Sequence, residues 1–90
     1  MIIKLSNKAK ERILEHNKNG VPVKVKITGY SWCGANLGVV SEKQGNEDKV
    51  YKVDGANIVV SSDLIDSMKG MTINYSTNWL SKGFEVLPVF

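Results

Sequence analysis

Cysteine is almost absent from this chain: Cys33 is the only one among 90 residues. A single thiol excludes an internal disulfide, and with it a fold stapled by a cysteine framework or a cysteine-rich metal site built within one chain. Aromatic residues are sparse, with two Trp, three Tyr and two Phe, so few large side chains are available to build a core or a binding wall. Arg12 is the only arginine and His16 the only histidine. No apolar run exceeds four residues, too short for a helix that crosses a bilayer. The opening MIIKLSNKAK has neither an apolar core segment nor a small-residue cleavage site, which argues against a secretory signal. A chain without a signal or disulfides is expected in the cytoplasm, with no membrane association.

What is present fits one small soluble domain spanning residues 1–90, since an apolar fraction of 42% and a charged fraction of 23% are ordinary for a globular protein. The net charge of +3 is uneven. Residues 1–30 hold seven Lys/Arg against two acids, and residues 31–90 hold five Lys against seven acids. That bias is not a nucleic-acid signature: no aromatic is interleaved with the early lysines, and no binding motif accompanies them. The expected reading is a solvated helix and strand surface.

Ser6 is placed to cap a helix running to about Lys18, with Leu5, Ala9, Ile13 and Leu14 on one stripe and Asn19-Gly20 ending it. In VPVKVKITGY, Val21, Val23, Val25 and Ile27 alternate with polar positions, as in a strand with one buried face. Leu37–Val40 predicts the next strand, and the polar SEKQGNEDK a mobile loop in which Glu42, Glu47 and Asp48 face solvent. VYKVDGANIVVS has two β-rich runs around Asp54-Gly55, the pair favoured in a two-residue type I′ turn. A short helix follows, capped by Ser61 or Ser62, with Asp63 in its first turn, Lys69 in its last and Gly70 as its stop. MTINYS and FEVLPVF predict two closing strands joined through STNWLSKG. The expected fold class is α+β: a mainly antiparallel or mixed β sandwich or half-barrel with two helices. A βαβ unit has room only around the second helix.

The chemistry concentrates in GYSWCGANLGVV, where Cys33 lies between Gly29 and Gly34 in a connection between strands. Glycines allow positive φ and close approach to a ligand. A cysteine there can reach a metal or an electrophile, or can serve as a small buried hydrophobe. No cation lies within four residues of it to lower the thiol pKa, and no general base is visible, so an enzyme is not expected. His16, late in the first helix, fits an exposed position that favours the helix dipole. The scattered carboxylates form no acid–base pair, and GYSWCG matches neither the dinucleotide-binding nor the Walker pattern. Trp32 and Trp79 read as covers of the core, or, if both lie near Cys33, as an interaction surface.

Taken in order, these segments resemble the HesB-like family, the A-type iron–sulfur cluster carriers and their relatives. The resemblance rests on an opening helix, the VKVKITG strand, the GYSWCGANLGVV loop, an acidic loop, the VYKVDGANIVVSSDL hairpin and helix, Ile73-Asn74-Tyr75, and GFEVLPVF. It covers nearly the whole chain. Family carriers use one loop cysteine and a C-x-C pair in a C-terminal tail. Cys33 matches the first, residues 1–90 hold no match to the pair, and Asn74 stands where the pattern usually has an acid. The resemblance implies a HesB-like fold and iron–sulfur cluster or iron binding through Cys33. It also implies a homodimer or an iron–sulfur assembly protein as partner. The alternative is a cluster-free member acting as an interaction module through Trp32 and Trp79.

Overall fold

A computed structural model of the chain describes residues 1–32, 34–77 and 83–90. Its elements run β1 (Ile2–Leu5), α1 (Asn7–Lys18), β2 (Lys24–Ser31), β3 (Gly34–Val40), β4 (Lys49–Val53), β5 (Ala56–Val60), α2 (Ser62–Ile65), β6 (Gly70–Ser76) and β7 (Gly83–Val89). The strands form two sheets, one ordered β1-β6-β7 and the other β3-β2-β5-β4. Two pairings are parallel, β1 with β6 and β2 with β5, and the rest are antiparallel. The expected α+β class with a mixed sheet system and two helices is what the chain adopts. β3 packs beside β7 and β1 beside β4, so the two sheets enclose one core.

Helix α1 bridges the sheets, packing on β5 and on β6. Its Ser6 cap accepts a hydrogen bond from the Ala9 N–H at 3.2 Å, as the sequence predicts. Ala9 and Ile13 are fully buried, whereas Leu14 lies at the edge of the helix face and is exposed. Leu5 belongs to β1 rather than to the helix stripe. The far end of α1 is held by a reciprocal pair: Asn57 N–H donates to Asn17 Oδ1 at 2.7 Å, and Asn17 Nδ2 donates to the Asn57 carbonyl at 3.3 Å.

Several expectations are corrected. β1 is not evident from the sequence; four residues are too few to show a period, and the strand exists because β6 pairs with it. β2 starts at Lys24 because the Val21 N–H is spent on the His16 carbonyl at the end of α1. β3 is longer than predicted, reaching back to Gly34. Helix α2 stops at Ile65, so Lys69 is not in its last turn. No βαβ unit forms around it, since β5 and β6 lie in different sheets. Gly70 is not a helix stop but the first residue of β6, and a Cβ there would strike the Ile2 carbonyl oxygen across the β1–β6 pair. The Asp54-Gly55 turn is as predicted, with φ of 51° and 85° at its two central residues.

Asp48 departs furthest from its expected role. It is buried, not solvating a mobile loop. Its Oδ2 accepts from the Gly45 N–H at 2.7 Å and pairs with Lys24 Nζ at 2.8 Å. Its Oδ1 accepts from the Ser62 N–H at 2.9 Å, capping α2 from a distance. The Ser61 side chain makes no cap bond there. Glu42 lies near the same ammonium at 3.9 Å and bonds Lys26 Nζ at 3.0 Å. The Lys24 ammonium, followed by the two backbone N–H groups, holds the Asp48 carboxyl down at about 2, below its ordinary 3.8.

Two predictions follow from this packing. Gly70→Ala should lower stability by about 1–3 kcal/mol through overpacking, read as a reduced urea midpoint. Gly29→Ala, where no atom lies within 4 Å of the added Cβ, should leave it nearly unchanged. Asp48→Asn should also lower the midpoint at neutral pH. Because the folded carboxyl titrates below its unfolded value, its stabilisation is present above about 3.8 and is lost as pH falls through about 2. The gap between wild type and Asp48→Asn should therefore close over that window.

Candidate functional site

The candidate site is the β2–β3 hairpin. Cys33 and Trp79 lie outside the described residues, so their expected roles are followed through their neighbours. β2 and β3 pair from Lys24↔Val40 to Ser31↔Gly34, with a register shift between Ile27 and Gly29. The hairpin is braced by side chains. Thr28 Oγ1 donates to the Asn36 carbonyl at 3.4 Å, and Ser31 Oγ donates to the Gly34 carbonyl at 3.4 Å. Gly38 makes room for Thr28, because a Cβ there would sit 2.7 Å from its methyl group. Gly34, directly after the cysteine, has φ of 120°, a conformation open to glycine and strained for other residues. Gly29 has no positive φ; its place is the register shift.

Trp32, directly before the cysteine, is 98% exposed, so it does not cover the core. Tyr30 is 79% exposed on the same hairpin. Residues 27–41 contain no Asp, Glu, Lys or Arg, so the hairpin end presents aromatic and neutral groups to solvent. That uncharged stretch is visible in the sequence and is a signal that motif reading passes over.

The other expected candidates are placed elsewhere. His16 lies in the last turn of α1, with its ring 6.5 Å from that of Phe84. Phe84 meets Tyr75 edge-on at 4.9 Å, and Arg12 lies 5.0 Å over the Tyr75 ring. Arg12 Nη2 also donates to the Tyr75 hydroxyl at 3.1 Å, and this bond, with Glu15 nearby, holds the guanidinium further on its charged side. Arg12, Glu15 and Tyr75 line a groove of about 700 Å³ between α1 and β6, with Lys8, Glu11 and Thr77. The groove is open and its charges are mixed, with Arg12 and Glu15 3.6 Å apart, so it presents no site of one sign. Among the described residues no three His, Cys, Asp or Glu side chains converge as a metal site. None of the helices described is long and apolar enough to cross a membrane.

No family model matches the chain. Its sequence is similar to a Bacillus subtilis (strain 168) protein named uncharacterized protein SufA, 27% identical over 78 residues, spanning 86% of this chain and 65% of that one. It is also similar to the human mitochondrial iron-sulfur cluster assembly 2 homolog, 26% identical over 86 residues, spanning 94% of this chain and 56% of that one. The chain thus covers less than two thirds of the length of these relatives. Its fold matches that of Escherichia coli SufA, described as involved in biosynthesis of iron-sulfur clusters, with a TM-score of 0.67, 22% identity and coverage of 93% of this chain and 77% of the other. It also matches IscA with the [2Fe-2S] cluster, with a TM-score of 0.66, 12% identity and coverage of 97% and 85%. The HesB-like resemblance and fold are borne out by these likenesses.

Exposure of Trp32 makes a direct prediction. Trp32→Ala should shift stability by no more than about 0.5 kcal/mol, the range of surface substitutions. In a Trp79→Phe background, the remaining tryptophan should emit as far to the red as a free tryptophan derivative and be quenched as readily by acrylamide. A blue-shifted, protected emission would contradict the placement.

Proposed function

We propose that this chain handles iron–sulfur clusters or iron as a carrier, with Cys33 as the ligand it contributes. The observation that carries the reading is one of position. The only thiol of the chain falls in sequence between Trp32, which is exposed, and Gly34, the first residue of β3. The β2–β3 hairpin sits in a chain similar along most of its length to a protein named iron-sulfur cluster assembly 2 homolog.

The chemistry defines what one chain can do. A cluster takes about four ligands, mostly thiolates. Residues 1–90 supply one thiolate, and among the described residues no three His, Cys, Asp or Glu side chains gather as a metal site. A second copy, an assembly protein or a small thiol can supply further ligands. Such a site is open on most sides and suits cargo held briefly and passed on. The chain then acts as a carrier and not an enzyme, and in a reducing compartment such as the cytoplasm its lone thiol stays available. The exposed Trp32 and Tyr30 give the donor or acceptor a neutral, aromatic surface beside the ligand. A cluster-free interaction module would use the same surface but leave Cys33 without a role.

The test is anaerobic reconstitution with ferrous iron, sulfide and a small thiol, followed by desalting, a visible spectrum and counts of iron and sulfide. The expected result is a chromophore with matched iron and sulfide that is lost in Cys33→Ser while the far-ultraviolet circular dichroism is unchanged. A chromophore retained in Cys33→Ser, or none in the wild type, would overturn the carrier reading.

A further inference from the structure

The outer face of the three-stranded sheet is apolar where a solvated sheet would be polar. Its inner face carries Ile3, Met71 and Ile73, all buried. Strand pairing places Ile2, Gly70 and Val89 in one outward row, and Lys4, Thr72 and Leu87 in the next. A sheet with one solvated face alternates apolar-in with polar-out. Here Ile2 is 70% exposed, Leu87 53% and Val89 54%. Gly70 has no side chain, so the middle of the first row is a gap. Over that gap lies a hollow of about 340 Å³, walled by Ile2 on one side and Val89 on the other.

We infer that this hollow binds a medium-chain aliphatic carboxylate. Charge is the first feature that selects the class. Lys4 and Lys69 line the hollow, and no acid does. Neither lysine has an ion-pair partner among the described residues. The groove beside α1 differs, because its cations share it with Glu11 and Glu15. The backbone of Lys69 is held from both sides. Its N–H donates to the Val89 carbonyl at 2.8 Å, and its carbonyl accepts from the Ile2 N–H at 3.1 Å. Those bonds fix Lys69 at the end of the hollow, while Lys4 stands in the second row with Thr72 beside it. An anionic head group meets ammonium groups at the rim, and an aliphatic tail meets Ile2 and Val89. Size is the second feature. The volume falls at the lower end of small-molecule sites, about 300–1,000 Å³. Three exposed aliphatic side chains are far fewer than the roughly 20–30 residues a side of a standard protein interface. Burying the tail strengthens binding about fourfold for each methylene removed from water. A charge-assisted bond to the head adds about tenfold or more. The inference stands on the sheet face alone and does not depend on the cluster reading.

Titration of the isotope-labelled chain with decanoate below its micelle concentration, followed through amide chemical shifts, tests it. Saturable shifts should centre on Ile2, Gly70 and Val89 and leave Trp32 unmoved. Decylammonium, with the same tail and the opposite charge, should bind about tenfold or more weakly. Butyrate, with the same head and a short tail, should also bind far more weakly than decanoate. The double variant Lys4→Gln with Lys69→Gln should weaken decanoate binding about tenfold or more, with unchanged circular dichroism. No saturable shift, shifts centred elsewhere, equal affinity for decylammonium, or a double variant that binds as the wild type does would each overturn the assignment. Binding to vesicles of anionic lipid without binding of free decanoate would overturn it as well.

Discussion

The Asp48 carboxylate is the contact on which the four-stranded sheet depends. A buried charge is costly unless every lone pair is used, and here both oxygens are. Oδ2 joins the loop at Gly45 to the start of β2 at Lys24. Oδ1 joins both to the start of α2 at Ser62. Lys24 is also where β2 meets β3 and β5, through Val40 and Val59. One carboxylate therefore anchors the end of β2 opposite the hairpin. With that end pinned and the alternation of the strand established, the position of the far end follows, and the far end is where Trp32 and the cysteine lie in sequence.

How much of this was legible depends on the range of the interactions involved. The Asp54-Gly55 hairpin and the Ser6 cap are local chemistry, and both were readable from a few residues. β1, the shortness of α2 and the meaning of Gly70 depend on partners many positions away. Gly70 next to Lys69 looks like a helix stop until Ile2 is brought against it. Asp48 in a polar loop looks solvated, because nothing near it in sequence announces Lys24 or Ser62. Trp32 was read in part as a core cover because large aromatics usually are buried. The hairpin extends past the core, and the side chain goes with it.

The hairpin is built for presentation rather than for stability. Among the described residues its end contributes nothing to the buried core cluster, which draws on β2 only through its first half. The residues that brace it are small and neutral: Thr28 against Gly38, and Ser31 against Gly34. Charge is excluded from residues 27–41, while the opposite end of β2 is crowded with paired ions. A neutral surface lowers the desolvation cost of bringing a partner against it. It also leaves the thiol without a nearby cation in sequence to stabilise the thiolate. Metal coordination itself can supply that stabilisation, since a coordinating thiol is deprotonated outright.

That last point separates binding chemistry from catalytic chemistry at the same residue. A catalytic cysteine must be a thiolate before its substrate arrives, so it needs a base or a cation already in place. A ligand cysteine needs neither, because the metal it binds displaces the proton. Arg12 is engaged with Tyr75 and Glu15, so one of the groups that could have activated a thiol is committed elsewhere in the fold. Lys24 and Lys26 are paired with Asp48 and Glu42. The fold assigns these groups to structural bonds and leaves the hairpin neutral. On the proposed reading, a thiol without a cation near it in sequence captures a metal cargo rather than attacking a substrate.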